Sequence, residues 1–443
     1  MTADTETRAD LPQGVGKITV RWAIFLIGLG ALTLIGIFAY WQEATTGMIV
    51  TGMRNVGTMG GATWALYITM VVYFIGVSFA GFTLAALIRI FNLNDLRPIV
   101  RIAELLTVVA LILGALAIIA DLGQPLRGIV NLFRYARPQS PFFGTFALVV
   151  AGYLYASLVY LYLGGRRDAA ILTGYKHNPL RWYHRLWAMG YKDTPAERER
   201  HRTTSFWLAL AIIPLLIIAH STLGFVFGLQ VGRPGWYGTL QAPAFLVLAD
   251  VSGVGLIIVF GAIVRTAVRA QRQITMKIFS WLGTFLILLL LVYLYFLVVE
   301  LLTLLYATPE VEKRLSDALL IGEYAPLYWG SVAALVFSVI VLAIMALRRS
   351  WSLGWIVAAG ILVNLAAIVK RLLIVLPSQT HGMLLPYDVG SYTPTWEEVA
   401  VVVGLFSLGA LLLVGFLKTF PAIPLDVEDQ PGTDDDFKEV AHA

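Results

Sequence analysis

The sequence has no cysteine and few charged residues. Of its 443 residues, 13% are charged and 58% are hydrophobic, and the mean hydropathy is +0.78. The lack of cysteine excludes disulfides, thiolate metal sites and cysteine-ligated iron–sulfur clusters from this chain. The scarcity of charge excludes an ordinary soluble globular protein. The composition therefore indicates a membrane protein.

Ten apolar runs are long enough to cross a hydrocarbon core as helices, which takes about 20 residues each. They lie near residues 22–41, 63–90, 101–121, 142–163, 204–229, 242–264, 278–305, 326–347, 352–376 and 397–418. A β-barrel would show short alternating segments instead. The sequence therefore predicts an all-α polytopic membrane protein with ten transmembrane helices.

Basic residues are distributed unequally between the two sides of these spans. Most of the 32 lysines and arginines fall on the side of the N-terminus, chiefly in the loop 164–203. The positive-inside rule then predicts that both termini are cytoplasmic, and the net charge of +5 follows from this topology rather than from nucleic-acid binding. We expect a cytoplasmic N-terminal segment over residues 1–20, a membrane domain over 21–420 and an acidic disordered tail over 421–443. The aromatic and basic residues of 178–193 fit either a helix in the membrane interface or an irregular loop.

Two segments suggest an internal repeat. "SFAGFTLAALIRIF" (78–91) and "SGVGLIIVFGAIVR" (252–265) both run from small residues to an arginine. Because they lie four spans apart, they predict two four-helix units with the same direction, spans two to five and six to nine. Glycine-rich faces that serve only helix packing are the alternative.

Ionisable residues occur within the spans, where charges are costly and often mark functional sites. Asp121 ends the third span at its outer boundary, and Arg371 adjoins Lys370. At about 1.5 Å per residue, four groups lie roughly 9 to 13 Å inside the outer edge: His220, Asp250, Glu300 and Lys370. Glu104 lies near the inner edge. The structural alternatives are a helix cap at Asp121, outward snorkelling of Lys370 and Arg371, and an ion pair with Glu300.

His220 is the most isolated of these groups. A transmembrane b-type haem commonly takes two histidines from facing helices. The other five histidines fall in loops or the tail, so the sequence argues against an intramembrane haem held by two histidines. No metal-ligand spacing includes His220. Imidazole hydrogen-bonds and exchanges protons near neutral pH, and Gly224, one turn along, leaves a notch where a flat ring could lie. A lipid quinone fits these requirements.

Several motifs resemble the NrfD/PsrC family of quinone-interacting membrane subunits, and most closely its ten-span branch. They are "WALYITMVVYFIGVSFAGF" (64–82), "DLGQP" (121–125), "SPFFGTF" (140–146), "AHSTLGFVFGLQVGRPGWYGTLQAPAF" (219–245), "NLAAIVKRLLIVLPS" (364–378) and "YTPTWEE" (392–398). The resemblance covers nearly all the spans. It implies a multi-pass protein of the prokaryotic inner membrane, with two four-helix bundles, flanking helices and no haem or iron–sulfur cluster of its own.

The resemblance also implies a site and partners. Asp121 and His220 match positions associated with the headgroup or protons of a menaquinone or ubiquinone, and Tyr67 and Gly224 would line the pocket. A ferredoxin-like iron–sulfur subunit would dock on the extracytoplasmic side and connect to a molybdopterin-type or cytochrome subunit. The candidates for a proton path are Asp250, Glu300, Lys370, Arg371 and Glu104.

Departures from the family pattern weaken the implication of proton pumping. Relatives often have a basic residue at Gln124, an acidic residue at Lys370 and an aspartate within 142–145, where this chain reads "FFGT". Two other functions fit ten spans with buried charges: a secondary transporter or a non-catalytic membrane anchor. A transporter would have broken helices at mid-membrane, whereas the glycine and proline interruptions here lie at the outer boundary.

Overall fold

The computed structural model describes residues 11–56, 64–135, 137, 139, 147–306, 309–381 and 389–425. Ten helices are long and apolar enough to cross a membrane: α1 (Val20–Thr46), α2 (Leu66–Ile90), α3 (Arg97–Asp121), α5 (Ala147–Thr173), α7 (Pro195–Gly228), α8 (Gln241–Ala267), α9 (Met276–Leu305), α11 (Ala325–Leu347), α12 (Leu353–Val375) and α14 (Trp396–Thr419). Four helices are shorter: α4 (Pro125–Tyr135), α6 (Arg181–Ala188), α10 (Glu310–Leu320) and α13 (Pro377–Thr380). The described residues contain no β-strand. The predicted all-α fold with ten spans is confirmed.

The spans form two four-helix bundles. In the first, α2, α3, α5 and α7 pack in a ring, and in the second, α8, α9, α11 and α12 pack in the same cyclic order. Helices α1 and α14 pack on each other and flank the first bundle through α3. The predicted division into spans two to five and six to nine is confirmed, whereas a sequence repeat between the bundles stays a prediction.

Helix α2 lies at the centre of the molecule. In its most apolar stretch of 18 residues, 89% of the residues are buried. The same share is 11% for α1, which faces outward along most of its length. Besides its own bundle, α2 contacts α8 and α12 of the second bundle. Helix α2 is therefore held by both bundles.

Both described ends of the chain lie on one face, which we call the basic face. The Gly16 amide donates to the Lys418 carbonyl there, at 2.8 Å. The opposite end of the spans, with α4, α10 and α13, is the distal face. The cytoplasmic placement of the basic face stays a prediction.

The loop at residues 164–203 contains the short helix α6 rather than an irregular segment over 178–193. His184 of this helix is fully buried. Its Nε2–H donates to the Thr419 carbonyl at 2.8 Å, while Nδ1 accepts from the Asn178 amide, also at 2.8 Å. Burial lowers the pKa of His184, and the hydrogen bond to Thr419 opposes this effect. Helix α6 is thus fastened to the end of α14.

The membrane domain extends beyond its predicted limits. Residues 421–425, expected in the acidic tail, are mostly buried: the Leu425 amide donates to Asp168 at 3.3 Å, and the Ile423 amide donates to Gln13 at 2.9 Å. In the 1–20 segment, residues 11–15 are buried or partly buried, whereas residues 16–20 are exposed. The rest of both termini, and the "SPFFGTF" motif at 140–146, lie outside the described residues.

Two glycines allow α1 and α14 to approach each other closely. A Cβ added at Gly36 would lie 2.8 Å from Cα of Gly404, and one at Gly404 would meet Gly36 equally closely. Small residues permit such backbone contact between membrane helices. This contact places the distal ends of α1 and α14 side by side.

Candidate functional site

His220 lies in the core of the first bundle and connects two helices. Its ring is 1% exposed, with Nδ1 3.0 Å from the Leu216 carbonyl of its own helix and Nε2 2.6 Å from the Ile75 carbonyl of α2. Phe79 packs against the ring edge-to-face at 4.4 Å. Because both ring nitrogens face backbone carbonyls, a quinone headgroup would have to displace one of these contacts to bind His220, and the assignment of His220 to the headgroup stays a prediction.

The notch at Gly224 is filled. A Cβ at this position would lie 2.5 Å from Cα of Ala242 at the start of α8. The absence of a side chain at Gly224 therefore serves close packing of α7 against α8. The expectation that a planar ligand lies against Gly224 is wrong, because Ala242 of α8 occupies that space.

A cluster of carboxyl groups and tyrosines lies instead at the distal ends of α1, α2, α3 and α14. We call it the distal carboxyl cluster; its members are Glu43, Tyr67, Asp121, Tyr392 and Glu398. Tyr67 is eight residues from Ile75 on α2, so the cluster lies roughly 12 Å from His220 along the helix axis. Asp121 and Tyr67 are thus brought together, and His220 is separate from them.

Glu398 organises one side of this cluster. The side chain is fully buried and accepts hydrogen bonds from the Gly52 amide at 2.8 Å, the Thr395 amide at 3.0 Å and the Tyr392 hydroxyl at 2.7 Å. Thr395 and Glu398 form the capping box that starts α14. Burial, followed by the neighbouring Glu398 and Asp121 carboxylates, raises the pKa of Tyr392. Tyr392 is therefore a proton donor to Glu398 and not a phenolate.

Glu43 and Asp121 form the other side. Glu43 is 1% exposed, and its Oε1 accepts a hydrogen bond from the Tyr67 hydroxyl. Asp121 lies within electrostatic range of Glu398 and Glu43. Two buried oxygens, Oε2 of Glu43 and Oδ1 of Asp121, have no hydrogen-bond partner among the described residues. None of the three carboxylates forms an ion pair with a residue that the structure describes.

Sequence reasoning missed Glu43 and Glu398. Glu43 falls two residues beyond the first apolar run as delimited from the sequence, but α1 continues to Thr46. Glu398 is the last residue of a Thr-x-x-Glu pattern before an apolar run, which is a recognised helix-start signal. Extending α1 by its missing turn and treating that pattern as a capping box would have found both residues.

Asp250 and Glu104 are connected with the interior of the first bundle. Asp250 lies within electrostatic range of Tyr153, whose hydroxyl donates to the Ser78 carbonyl at 2.8 Å. Glu104 is 4% exposed and lies 3.9 Å from the Arg89 guanidinium. Two further buried hydroxyls belong to α5 of this bundle: that of Tyr160 lies within electrostatic range of Glu104, and that of Ser157 is in hydrogen-bond contact with Tyr153. Although α8 belongs to the second bundle, its Asp250 lies within electrostatic range of Tyr153 in the first bundle.

The other three charged candidates lie in the second bundle or between the bundles. Lys370 is 4% exposed and lies over the Tyr328 ring at 4.5 Å, with Glu300 within electrostatic range. Arg371 is 2% exposed; it donates to the Phe245 carbonyl at 3.2 Å, and its Nη1 has no hydrogen-bond partner in the part of the chain that the structure describes. Both cations point inward, so outward snorkelling does not describe them.

The distal carboxyl cluster has the chemistry of a proton-exchange site. Carboxyl groups at close range share protons and titrate together, and unpartnered acceptor oxygens can receive an O–H donor. Among the described residues, no group of three or more histidine, aspartate or glutamate side chains is arranged to hold a metal ion.

Comparison with known proteins agrees with this architecture. Residues 54–381 match the family described as "Polysulphide reductase, NrfD". The chain is 30% identical to a putative dimethyl sulfoxide reductase membrane subunit from Halobacterium salinarum, over 94% of this chain and 95% of the relative.

Two further relatives are 24% identical to the chain. A selenate reductase subunit from Mesobacillus selenatarsenatis aligns over 91% of this chain and 94% of its own. The Hdr-like menaquinol oxidoreductase integral membrane subunit of Archaeoglobus fulgidus aligns over 92% and 95%. These relatives are prokaryotic, which makes this chain a multi-pass protein of a prokaryotic inner membrane. The protein belongs to the NrfD family of polysulphide reductase membrane subunits.

Proposed function

We propose that this protein is the quinone-interacting membrane subunit of a respiratory redox complex, and that the distal carboxyl cluster handles the protons of the quinol. The observation that carries the proposal is the pair of unpartnered, buried carboxyl oxygens on Glu43 and Asp121. They lie beside Tyr67, at the end of the first bundle where the family resemblance expects the headgroup. None of the ten spans is divided into two half-helices at mid-membrane, although α7 contains Pro214. This continuity supports the proposed function over a secondary transporter.

The chemistry follows from what a quinol releases. Oxidation of a quinol frees two electrons and two protons, and its two hydroxyl groups are hydrogen-bond donors. Asp121 and Glu43 accept these hydrogen bonds and then the protons, as general bases do. Tyr67 positions Glu43, and Glu398 with Tyr392 completes a route for protons to the distal face. The electrons pass to an iron–sulfur cluster of a partner subunit; quinone reduction is the reverse of these steps.

Helix α4 provides a docking surface for that partner. It begins four residues after Asp121 and lies on the distal face. Its apolar side chains are widely exposed: Leu126 by 80%, Val130 by 59% and Phe133 by 84%. Their i, i+4, i+7 spacing places them on one side of the helix. A partner that covers this side would hold its iron–sulfur cluster close to the quinol.

The test is quinol-dependent reduction of the partner's clusters in the purified complex. We expect D121N and E43Q each to lower the rate about 100-fold or more, the usual contribution of a positioned acid or base. E310Q is the matched control, because Glu310 is a distal-face carboxylate that is 73% exposed. Co-purification of the partner shows that the complex is intact. Full activity of both cluster variants in an intact complex would refute the assignment.

His220 remains in the proposal as a positioning residue rather than a headgroup ligand. As a connection between α7 and α2, it holds the helix that carries Tyr67. H220Q should therefore lower thermal stability while leaving the KM for quinol nearly unchanged. A raised KM with unchanged stability would instead show that His220 contacts the headgroup.

We further propose that Asp250 and Glu104 conduct protons through the first bundle. The hydroxyl of Tyr160 lies within electrostatic range of Glu104, and those of Ser157 and Tyr153 are in hydrogen-bond contact. Such hydroxyls can relay protons as donor and acceptor. D250N and E104Q should abolish proton uptake linked to quinol oxidation in proteoliposomes, with electron transfer retained. Normal proton uptake in both variants would exclude this path. Lys370, Arg371 and Glu300 are alternative members of a path in the second bundle and are tested in the same way.

A further inference from the structure

A cavity of about 590 Å³ opens at the basic face, where the ends of α2, α3, α5 and α7 meet. It lies at the opposite end of the first bundle from the distal carboxyl cluster. Six of its lining side chains are arginines: Arg89, Arg97, Arg101, Arg167, Arg198 and Arg202. The proposed quinol chemistry makes no use of these arginines.

The arginines outnumber the carboxylates available to them. Two carboxylates line the cavity, Glu104 and Asp168, and Asp168 pairs with the buried Arg101. Arg167 and Arg198 share a third carboxylate, that of Asp193. Arg202 pairs with a fourth carboxylate, that of Glu199. Six positive charges thus face four negative ones, and the cavity has a positive excess.

The arginines at the mouth are the ones open to a ligand. Arg97, the first residue of α3, forms no ion pair with any described residue. Arg202 is 78% exposed and pairs with Glu199, itself 61% exposed; such surface pairs are weak and readily exchanged. Arg89 also lines the cavity; it lies over the Tyr160 ring at 4.8 Å and 3.9 Å from Glu104.

We propose that this cavity binds the phosphate group of an anionic phosphate ester. A guanidinium presents its N–H donors in a planar fork that matches two phosphate oxygens at once. The cavity volume falls in the usual range for small-molecule sites, roughly 300 to 1,000 Å³, and exceeds what a bare ion needs. Ile90 and Phe206 contribute apolar wall. The phosphate belongs either to a phospholipid headgroup of the adjacent leaflet or to a soluble compound.

The test uses the full chain and two probes that separate these sources. Inorganic phosphate is titrated into detergent-purified protein at constant ionic strength, with chloride as reference, and the unfolding midpoint is recorded. In parallel, the protein is reconstituted in nanodiscs of phosphatidylcholine alone or with phosphatidylglycerol, and retained lipid is counted by native mass spectrometry. Stabilisation by inorganic phosphate indicates that the cavity takes a soluble phosphate compound. Selective retention of phosphatidylglycerol indicates that it takes a phospholipid headgroup.

Variants show whether the cavity is responsible. The double variant R97A/R202A should lose roughly 100-fold in affinity for whichever probe binds, at about tenfold for each charge-assisted hydrogen bond removed. R200A is the matched control, because Arg200 is an exposed arginine on the same turn of α7 but does not line the cavity. An equal loss in R200A, or the absence of binding by both probes, would overturn the proposal.

Discussion

The Glu398→Ala substitution tests how the distal carboxyl cluster is held together. It removes the acceptor of one buried donor, the Gly52 amide at 2.8 Å, and of two part-buried donors, the Thr395 amide at 3.0 Å and the Tyr392 hydroxyl at 2.7 Å. A buried donor left without an acceptor costs about 1–3 kcal/mol. Since a side chain such as Tyr392 can rotate toward other acceptors, we expect a total loss of about 3–5 kcal/mol in the free energy of unfolding.

The assay is reversible unfolding in mixed micelles, followed by circular dichroism. E397A is the matched control, because Glu397 precedes Glu398 in the same turn of α14 and is only half-buried. Its removal forfeits a favourable interaction with the helix N-terminus of about 0.3–1 kcal/mol. Losses of equal size in the two variants would show that the buried hydrogen bonds of Glu398 contribute nothing special, and the structural basis of the cluster would be refuted.

Three further predictions concern other parts of the fold. G36L should destabilise the protein by about 1–3 kcal/mol through overpacking against α14; the control G30L, where a Cβ would meet nothing within 4 Å, should have little effect on the thermal midpoint. In the buried Arg101–Asp168 pair, R101M or D168L alone should cost about 3–5 kcal/mol, while R101M/D168L recovers most of it; strictly additive losses would deny direct coupling. Because burial lowers the pKa of His184 in the folded protein, the unfolded chain alone gains its proton as pH falls below the ordinary value of about 6.5. Stability present above that pH should decline below it, and an unchanged pH dependence in H184Q would contradict this.

The transmembrane architecture could be predicted because one physical signal dominates it. A hydrocarbon core demands long apolar helices, and such runs are visible in the sequence. Helix ends outside the hydrocarbon core follow other rules. Helix α7, for example, begins at Pro195, directly after the N-cap residue Thr194, which forms a capping box. This start lies nine residues before the apolar run of the helix. Polar caps and interfacial turns therefore displaced the boundaries without changing the number of spans.

The candidate site was only partly predictable because burial alone does not tell which groups meet. Asp121 and Tyr67 were expected to line one quinone pocket; both lie near Glu43, and the pocket itself stays a prediction. His220 was selected for its depth and isolation, yet its ring nitrogens face carbonyls of α2 and α7. Glu43 and Glu398 joined the site through the contact of α1 with α14, helices at opposite ends of the chain. Contacts over such sequence distances leave no local pattern.

Helix α3 connects the two proposed sites and also separates them. It begins with Arg97 in the basic-face cavity and ends with Asp121 in the distal carboxyl cluster. Twenty-four residues of rise place these side chains roughly 36 Å apart, which is about the thickness of the membrane. Effects of substitutions at such separation normally add, and screening removes direct interaction between their charges. Loss of phosphate binding in R97A/R202A therefore carries no information about quinol oxidation, and inactivity of D121N carries none about the cavity, so each proposal stands or falls by its own experiment.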